Sequence, residues 1–211
     1  HLPAGLESDF SARSPHEIGG EAGMDHICHC LVERIVAVNA AIYQTSVNEP
    51  QCAGMGTTLV AAVFCDDAVV VAHLGDSRLY RLRKREFSLL TRDHSYVQDQ
   101  VDRGLMTAAG ARLSRNRGLL TRALGVDQTV DPELHRHPVQ PGDIYLLCSD
   151  GLNDMLSDKE IGTALHMSSA NLGQAATQLI QMANDRGGRD NVSVILVRIL
   201  REFPALQRGK V

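Results

Sequence analysis

The sequence predicts an α+β fold in which two antiparallel sheets form a two-layer sandwich flanked by helices on both faces. Short strand-like segments follow one another with brief turns between them, which favours antiparallel pairing over repeated βαβ units. The segment Val69-Val70-Val71-Ala72 is apolar at every position, so its strand must be covered on both faces. Two stacked sheets with helices outside them provide that cover.

The first half of the chain is predicted to form one long helix and four strands. From Met24 to Gln44, apolar residues recur every three or four positions and form one stripe. The stripe comprises Ile27, Leu31, Ile35, Val38 and Ile42. After a loop from Ser46 to Gly56, the predicted strands are Thr57–Phe64, Ala68–Leu74, Arg78–Leu82 and Glu86–Leu90.

The second half is predicted to contain three strands and three helices around an irregular segment. A short helix covers Ser95 to Gly104, and Leu105 to Gly125 is polar, basic and weakly periodic. We interpret this second segment as a mobile surface excursion and call it the excursion. The remaining predicted elements are strands Val130–His137 and Ile144–Ser149, a helix opened by the capping box Ser157-Asp158-Lys159-Glu160, a helix from Asn171 to Arg186 and a strand Asn191–Ile199.

Composition excludes several classes of function. The 211 residues suit one domain (1–211), and the net charge of −4 gives no electrostatic reason to expect nucleic-acid binding. No apolar run reaches the roughly 18 residues that a membrane span requires. The five cysteines form an odd number and lie mostly in apolar or helical patterns. We therefore expect a reduced, cytoplasmic protein that acts as a monomer.

Asp150 and Asp190 are the first candidate site residues. Asp150 follows an apolar strand in Cys148-Ser149-Asp150-Gly151, and Asp190 precedes another in Asp190-Asn191-Val192-Ser193. If these strands are antiparallel neighbours, both carboxylates lie at the same edge of the sheet. Two acidic groups that close resist joint ionisation unless a cation lies between them, and oxygen ligands suit Mg²⁺ or Mn²⁺. Turn chemistry alone also favours Asp-Gly and Asp-Asn, so this alternative stays open.

Two other patterns have more ordinary explanations. Gly54-Met55-Gly56 precedes a strand and lacks a third glycine, whereas the dinucleotide-binding fingerprint follows a strand, so we expect close backbone packing there. On the first helix, His26 and Cys30 share a face, but zinc motifs usually split their ligands between two separated pairs. We therefore expect the cysteines of this helix to be buried.

Two further aspartates remain ambiguous. Asp76, in Gly75-Asp76-Ser77, is a candidate third carboxylate, but a hairpin-turn residue is the preferred interpretation. Asp93, between a strand and a helix, is either a metal ligand or a helix N-cap.

The complete set of motifs resembles the bacterial metal-dependent Ser/Thr protein phosphatases of type 2C, from about Gly19 to Ile199. The resemblance rests on seven segments in the family's order. They are Gly54-Met55-Gly56-Thr57-Thr58, His73-Leu74-Gly75-Asp76-Ser77-Arg78, Leu90-Thr91-Arg92-Asp93-His94-Ser95, Leu120-Thr121-Arg122-Ala123-Leu124-Gly125, Gly142-Asp143, Cys148-Ser149-Asp150-Gly151-Leu152 and Asp190-Asn191-Val192-Ser193.

The resemblance implies a two-cation enzyme that hydrolyses phosphoserine and phosphothreonine in proteins and opposes a bacterial Ser/Thr kinase. Asp150 and Asp190 match the family's ligands for two Mg²⁺ or Mn²⁺ ions, and Asp93 matches the carboxylate that joins Asp150 at a third, weaker metal. The segment from Leu105 to Leu119 matches the mobile flap beside the active site. The metal-activated water is the nucleophile, so no side chain, including that of Cys148, is expected to be one. The substrate-binding residues are not identified.

The sequence departs from the family near its start. The family's Arg-x-x-Asn-x-Asp stretch and its Asp-Gly-Met-Gly-Gly-His motif, whose aspartate bridges the two metals, are both missing. Yet Asp9 to Pro15 resembles the family's first strand, and His16 to Ala22 resembles the residues just after the second motif. We therefore predict that a segment of about 30 residues is missing between Pro15 and His16. If the join is genuine, the alternative function is a catalytically inactive, phosphatase-like regulatory domain that binds a phosphoprotein.

Overall fold

The structure is a computed structural model that describes residues 20–202, with side chains from residue 23 onward. The predicted gap between Pro15 and His16 and the strand-like segment before it lie outside the described residues. Of the helices within the described part, none combines the length and apolar character that a bilayer span requires.

Helix α1 runs from Gly20 to Asn48 and is longer than the stripe predicted. Ile35 is buried, and Leu31 and Ile42 pack with it against the first sheet, as the periodicity predicts. Val38, however, is 38% exposed, whereas its neighbour Asn39 is buried. The Asn39 side chain accepts a hydrogen bond from the Gly125 amide and donates to the Asp127 carbonyl. This polar contact with a distant loop determines which face of α1 turns inward.

Within residues 20–202, seven strands form two antiparallel sheets. The strands are β1 (Leu59–Cys65), β2 (Ala68–Leu74), β3 (Arg78–Arg83), β4 (Glu86–Leu89), β5 (Glu133–Pro138), β6 (Ile144–Cys148) and β7 (Val194–Arg198). The first sheet has the order β1-β2-β5, and the second has the order β4-β3-β6-β7. All the strand pairs are antiparallel. The predicted α+β sandwich of two antiparallel sheets is therefore confirmed.

Among the described residues, buried apolar side chains form three clusters. The clusters are separate because the side chains of each strand alternate between the two faces of its sheet. Val69 and Val71 of β2 meet Leu79, Tyr145 and Leu147 between the two sheets. On the outer face of the first sheet, Ala72 and Leu74 contact α1. The uniformly apolar β2 is thus covered on both sides, as its composition predicts.

The outer face of the second sheet is covered by helices near the end of the chain. The helices after α1 are α2 (Tyr96–Asp102), α3 (Ala108–Leu113), α4 (Asp150–Asn153), α5 (Asp158–Met167) and α6 (Leu172–Asp185), and a 3₁₀ turn spans Pro50–Cys52. The predicted capping box opens α5: the Ser157 hydroxyl accepts from the Glu160 amide, and the Glu160 carboxylate accepts from the Ser157 amide. Leu152 of α4, Leu165 of α5 and Leu179 of α6 are fully buried against the sheet. Helices therefore flank both faces of the sandwich.

Candidate active site

The strand register brings Asp150 and Asp190 to the same edge of the second sheet. In the antiparallel pair β6–β7, Cys148 lies opposite Val194. Asp150 comes two residues after Cys148, and Asp190 comes four residues before Val194. The predicted antiparallel arrangement of these two strands is therefore confirmed, and the chain leaves and enters the sheet at one place.

Asp76 and Asp93 reach the same edge from the other side. Arg78, the first residue of β3, lies opposite Cys148, and Asp76 stands two residues before it. Strand β4 is antiparallel to β3 and ends at Leu89, so the loop that carries Asp93 also begins at this edge. Four carboxylates from four separate chain segments thus gather at one end of the sandwich.

Ser149 ties the two strand ends together. Its hydroxyl donates to the Asn191 carbonyl at 3.1 Å and accepts from the Ser193 amide at 3.0 Å. The Ser149 amide donates to the Ser193 carbonyl at 3.1 Å. Gly151 packs so closely on this segment that an added Cβ would lie under 3.0 Å from the Asn191 carbonyl oxygen. Both residues hold the Asp150 backbone against the backbone next to Asp190, and no local sequence pattern indicates this role for either.

The charges at this edge repel one another. Burial, followed by the charges of Asp190 and Asp154, raises the pKa of the Asp150 carboxyl above its usual value. The repulsion between Asp150 and Asp190 is the interaction expected of a carboxylate pair without a cation between them. The donors at this edge are carboxylate oxygens, which suit Mg²⁺ or Mn²⁺ better than soft metals. The arrangement therefore fits the cations that the sequence predicts.

Asp76 lies in the connection between the two sheets and not in a hairpin turn. Burial, followed by the charges of Asp150 and Asp93, raises the pKa of Asp76 to about 6. The carboxylate faces a cavity of about 220 Å³ that Asp93 and Asp158 also line. Asp190 lies outside this cavity and lines a separate, more open one. The hairpin interpretation of Asp76 was therefore wrong, because β2 and β3 lie in different sheets, and the register of β3 against β6 shows where Asp76 lies.

The raised pKa of Asp76 predicts how the stability of the metal-free protein depends on pH. In metal-free protein, the folded state binds the Asp76 proton more tightly than the unfolded chain does. The free energy of unfolding should therefore rise as the pH falls through about 6 towards the usual value of 3.8. We expect Asp76→Asn to stabilise the metal-free protein by about 1–2 kcal/mol near pH 7.5, after allowance for solvent screening.

Urea denaturation in the presence of EDTA measures this difference. The gain from Asp76→Asn should shrink towards zero at about pH 3, below the usual value of 3.8, where the wild-type carboxyl is mostly protonated in both states. Asp185→Asn is the matched control, because Asp185 is exposed and bonds only the nearby Gln181 side chain within the described contacts. A gain that stays the same at both pH values would contradict the prediction.

Asp93 forms a buried ion pair with Arg78. The Arg78 guanidinium donates from Nε to Oδ1 at 2.8 Å and from its terminal nitrogen to Oδ2 at 2.7 Å, and the Asp93 side chain is only 12% exposed. Arg78 also donates to the Tyr80 hydroxyl, which in turn donates to Asp158 at 3.0 Å. Asp93 is not the N-cap of α2, since the Ser95 hydroxyl has that role. The N-cap alternative for Asp93 is therefore wrong.

The excursion contains a helix and contacts the candidate site. Helix α3 lies within it, so the prediction of a wholly irregular segment was wrong. The Arg112 guanidinium donates to the carbonyls of Asn153 and Leu156 at 3.2 and 3.1 Å. Arg117 pairs with Asp154 at 2.9 Å. These contacts join the excursion to α4, the short helix that begins with Asp150.

The remaining sequence patterns have structural explanations. A Cβ on Gly56 would lie 3.0 Å from the Leu124 carbonyl oxygen, so the glycine allows the close packing predicted. His26 and Cys30 contact each other at 3.5 Å across one turn of α1, on its exposed side, so the expectation that this cysteine is buried was wrong. Burial raises the pKa of the Cys148 thiol to about 12, which fits a packing role and not that of a nucleophile.

Comparison with known proteins identifies close relatives. The family model described as Protein phosphatase 2C matches residues 12–192. The chain is 40% identical over 180 residues to the serine/threonine phosphatase stp of Listeria monocytogenes serotype 4b, which covers 85% of this chain and 69% of the relative. It is also 40% identical over 164 residues to the serine/threonine protein phosphatase PstP of Mycobacterium tuberculosis. That match covers 78% of this chain but only 31% of the mycobacterial protein.

Solved structures of bacterial serine/threonine phosphatases are also similar to this chain. The catalytic domain of the serine/threonine protein phosphatase PstP, in complex with two manganese ions, is similar with a TM-score of 0.73 and 39% sequence identity. The similarity covers 81% of this chain and 70% of that domain. Two manganese ions in a relative at this level of identity agree with the oxygen-rich site described above.

Proposed function

This chain belongs to the protein phosphatase 2C family, and we propose that it hydrolyses phosphoserine and phosphothreonine in proteins with the help of two divalent cations, Mg²⁺ or Mn²⁺. The observation that carries this proposal is the convergence of Asp150 and Asp190 at one edge of the sandwich, where their charges repel each other. We further propose that residues 1–211 form one phosphatase domain.

Each carboxylate has a distinct part in the proposed site. Asp150 and Asp190 would supply carboxylate oxygens to the cations, and Ser149 holds their two chain segments together. Asp93 would join Asp150 at a third cation, in competition with Arg78, which already binds both Asp93 oxygens. This competition would weaken the third site. Asp76 adds negative charge to the cavity beside them.

When bound, the cations supply a water that loses its proton near neutral pH and they neutralise the charge of the phosphoryl oxygens. The residues of the protein would contribute mainly by holding the carboxylates of the site in position. Asp150 and Asp190 are attached to two hydrogen-bonded strands, which limits their freedom to separate. Such support matters because small displacements of catalytic groups reduce rates strongly.

The biological setting follows from the same proposal. The substrates would be phosphoproteins, and the enzyme would oppose a Ser/Thr kinase in the bacterial cytoplasm as a monomer. Among the described residues, Cys28, Cys30, Cys52 and Cys148 form no disulfide bond, which agrees with a reducing compartment. The net charge of −4 gives no support for a nucleic-acid partner.

The direct test is the hydrolysis of para-nitrophenyl phosphate and of phosphopeptides by protein expressed from its natural coding sequence. We expect activity that requires Mn²⁺ or Mg²⁺ and is abolished by EDTA. Phosphoserine and phosphothreonine peptides should be hydrolysed in preference to a phosphotyrosine peptide of the same sequence. A rate that is unchanged by EDTA would rule out the proposed mechanism.

An inactive regulatory domain is the second candidate, because the sequence lacks the family's Asp-Gly-Met-Gly-Gly-His motif. Tryptic peptide mapping distinguishes the active phosphatase from the inactive regulatory domain. If Pro15 and His16 are directly joined, trypsin releases one peptide from Ser14 to Arg34, since no Lys or Arg lies between these ends. We expect this peptide to be absent and an additional segment to be present. Its detection, together with phosphopeptide binding without hydrolysis, would favour the regulatory domain.

A further inference from the structure

A second group of potential metal ligands lies in the first sheet, apart from the carboxylate edge. His73 of β2, His94 of the loop before α2 and Glu133 of β5 each place one ligand atom within 4.8 Å of the others. The His94 Nε2 atom lies 3.0 Å from Glu133 Oε2. The imidazole of His135 adds a fourth donor, with its Nε2 atom 2.6 Å from Glu133 Oε1. We call these four residues the histidine cluster.

His73 has a buried nitrogen with an unused lone pair. Its side chain is completely buried, and its Nε2 atom lies 2.9 Å from the Arg92 carbonyl oxygen and 3.3 Å from the Arg92 amide nitrogen. The shorter contact requires Nε2 to carry the ring proton, since a carbonyl oxygen only accepts. Because a neutral imidazole carries one proton, Nδ1 is then an acceptor. This atom has no hydrogen-bond partner among the residues that the structure describes. A buried polar atom without a partner is unfavourable, so a ligand at Nδ1 would be stabilising.

The electrostatic state of the cluster favours metal binding. Burial lowers the pKa of the His73 imidazole, which keeps it neutral and able to bind a cation. Burial alone would raise the pKa of Glu133, but hydrogen bonds from His94 and His135 outweigh it and lower the pKa to about 2. The cluster therefore offers the neutral imidazole of His73 and one ionised carboxylate, and imidazole with carboxylate is a donor set typical of Zn²⁺ sites.

We propose that His73, His94 and Glu133 form a Zn²⁺ site, with His135 beside Glu133 at its more exposed side. The Nε2–H of His73 would donate to the Arg92 carbonyl, as the second nitrogen of a metal-bound histidine commonly does. Zn²⁺ lies about 2.0–2.2 Å from nitrogen and oxygen ligands, so the cluster must contract by about an ångström to bind it. The His73 and His94 rings, which stack with centroids 4.7 Å apart and planes 19° apart, must also rotate so that both lone pairs point at the ion.

Coordination also changes one contact of His94. Its Nδ1 atom accepts a hydrogen bond from the Gly75 amide at 3.3 Å. When Nε2 binds Zn²⁺, the ring proton resides on Nδ1, and this long hydrogen bond is lost. The Gly75 amide thus reports on occupation of the site.

Bound Zn²⁺ would link the loop that contains His94 to the first sheet. His94 follows Asp93 directly, and its backbone amide donates to the Gly75 carbonyl at 2.9 Å. A metal shared by β2, β5 and this loop would hold the three together. Because the unfolded chain has no such preformed site, Zn²⁺ should raise the melting temperature.

The test is Zn²⁺ binding to the full chain in excess Mg²⁺, which occupies the carboxylate edge. We expect one Zn²⁺ per chain by metal analysis after dialysis, and a tetrahedral absorption spectrum when Co²⁺ replaces Zn²⁺. Glu133→Gln and His73→Gln should each weaken binding at least about 10-fold. If His73→Gln fails to fold, Glu133→Gln decides alone, because it preserves hydrogen bonding at a partly exposed position.

Two control variants make the assignment specific. His166→Gln changes an exposed histidine of α5 and should leave Zn²⁺ affinity unchanged. Cys30→Ser removes the thiol that contacts His26 on α1 and should also have no effect. The Gly75 amide resonance should shift with Zn²⁺ in the wild-type protein and not in Glu133→Gln. Undiminished binding in Glu133→Gln, loss of binding in Cys30→Ser or no bound Zn²⁺ would each overturn the proposal.

Discussion

The Asp150→Asn variant is expected to hydrolyse para-nitrophenyl phosphate about a thousandfold more slowly than the wild type at saturating Mn²⁺. The change preserves the shape of the side chain but removes the charge that would hold a cation. A catalytic metal supplies several kcal/mol of transition-state stabilisation, which corresponds to a factor of this size. Initial rates over a range of Mn²⁺ concentrations measure the effect and separate weak metal binding from slow turnover.

The same variant should fold at least as well as the wild type without metal. Burial and the nearby charges already raise the pKa of Asp150, so a neutral amide relieves an unfavourable interaction. The Asp185→Asn control changes an exposed carboxylate and should retain wild-type activity. Activity of Asp150→Asn within about tenfold of the wild type would exclude Asp150 as a principal metal ligand.

The Gly151→Ala variant is expected to lose about a hundredfold in activity although it changes no charged group. The new methyl group would lie under 3.0 Å from the Asn191 carbonyl oxygen, which is part of the backbone and cannot rotate away. The start of α4 must therefore move away from the strand that follows Asp190. Such overpacking should also lower the free energy of unfolding by about 1–3 kcal/mol.

The control for this variant is Gly173→Ala in α6, where the nearest non-neighbouring atom to an added Cβ is a side-chain oxygen at 3.4 Å. We expect that variant to keep full activity. Steady-state rates and denaturation curves for both variants give the comparison. Normal activity in Gly151→Ala would show that the spacing between Asp150 and Asp190 is not critical.

The sequence predicted the architecture because the strands carry strong local signals. Uniform apolar character identified β2 as a doubly covered strand, and turn residues separated the strands with errors of only a few positions. The short helices α3 and α4 were missed since one or two turns contain too few residues to show a period. The inward turn of Asn39 was missed because its partners lie more than 80 positions away.

The sequence predicted only part of the candidate site, namely the residues that lie beside strong local signals. Asp150 and Asp190 stand beside long apolar strands, so their convergence needed only one assumption about strand pairing. Asp76 could not be distinguished from a turn residue without knowing that Arg78 lies opposite Cys148. The pairing of Asp93 with Arg78 likewise depends on side-chain geometry. The roles of Ser149 and Gly151 arise from contacts with residues about 40 positions away and leave no local pattern.

The distribution of the four edge carboxylates along the chain has a thermodynamic consequence. Positions 76, 93, 150 and 190 are so far apart that no short segment contains two of them. The unfolded chain therefore keeps these four carboxylates apart, and the site that they form together exists only in the native state. Metal concentration then becomes a variable of stability, since free cation at about 100 times its dissociation constant adds about 2.7 kcal/mol per site. The supply of Mg²⁺ or Mn²⁺ would govern the amount of folded protein as well as its rate of turnover.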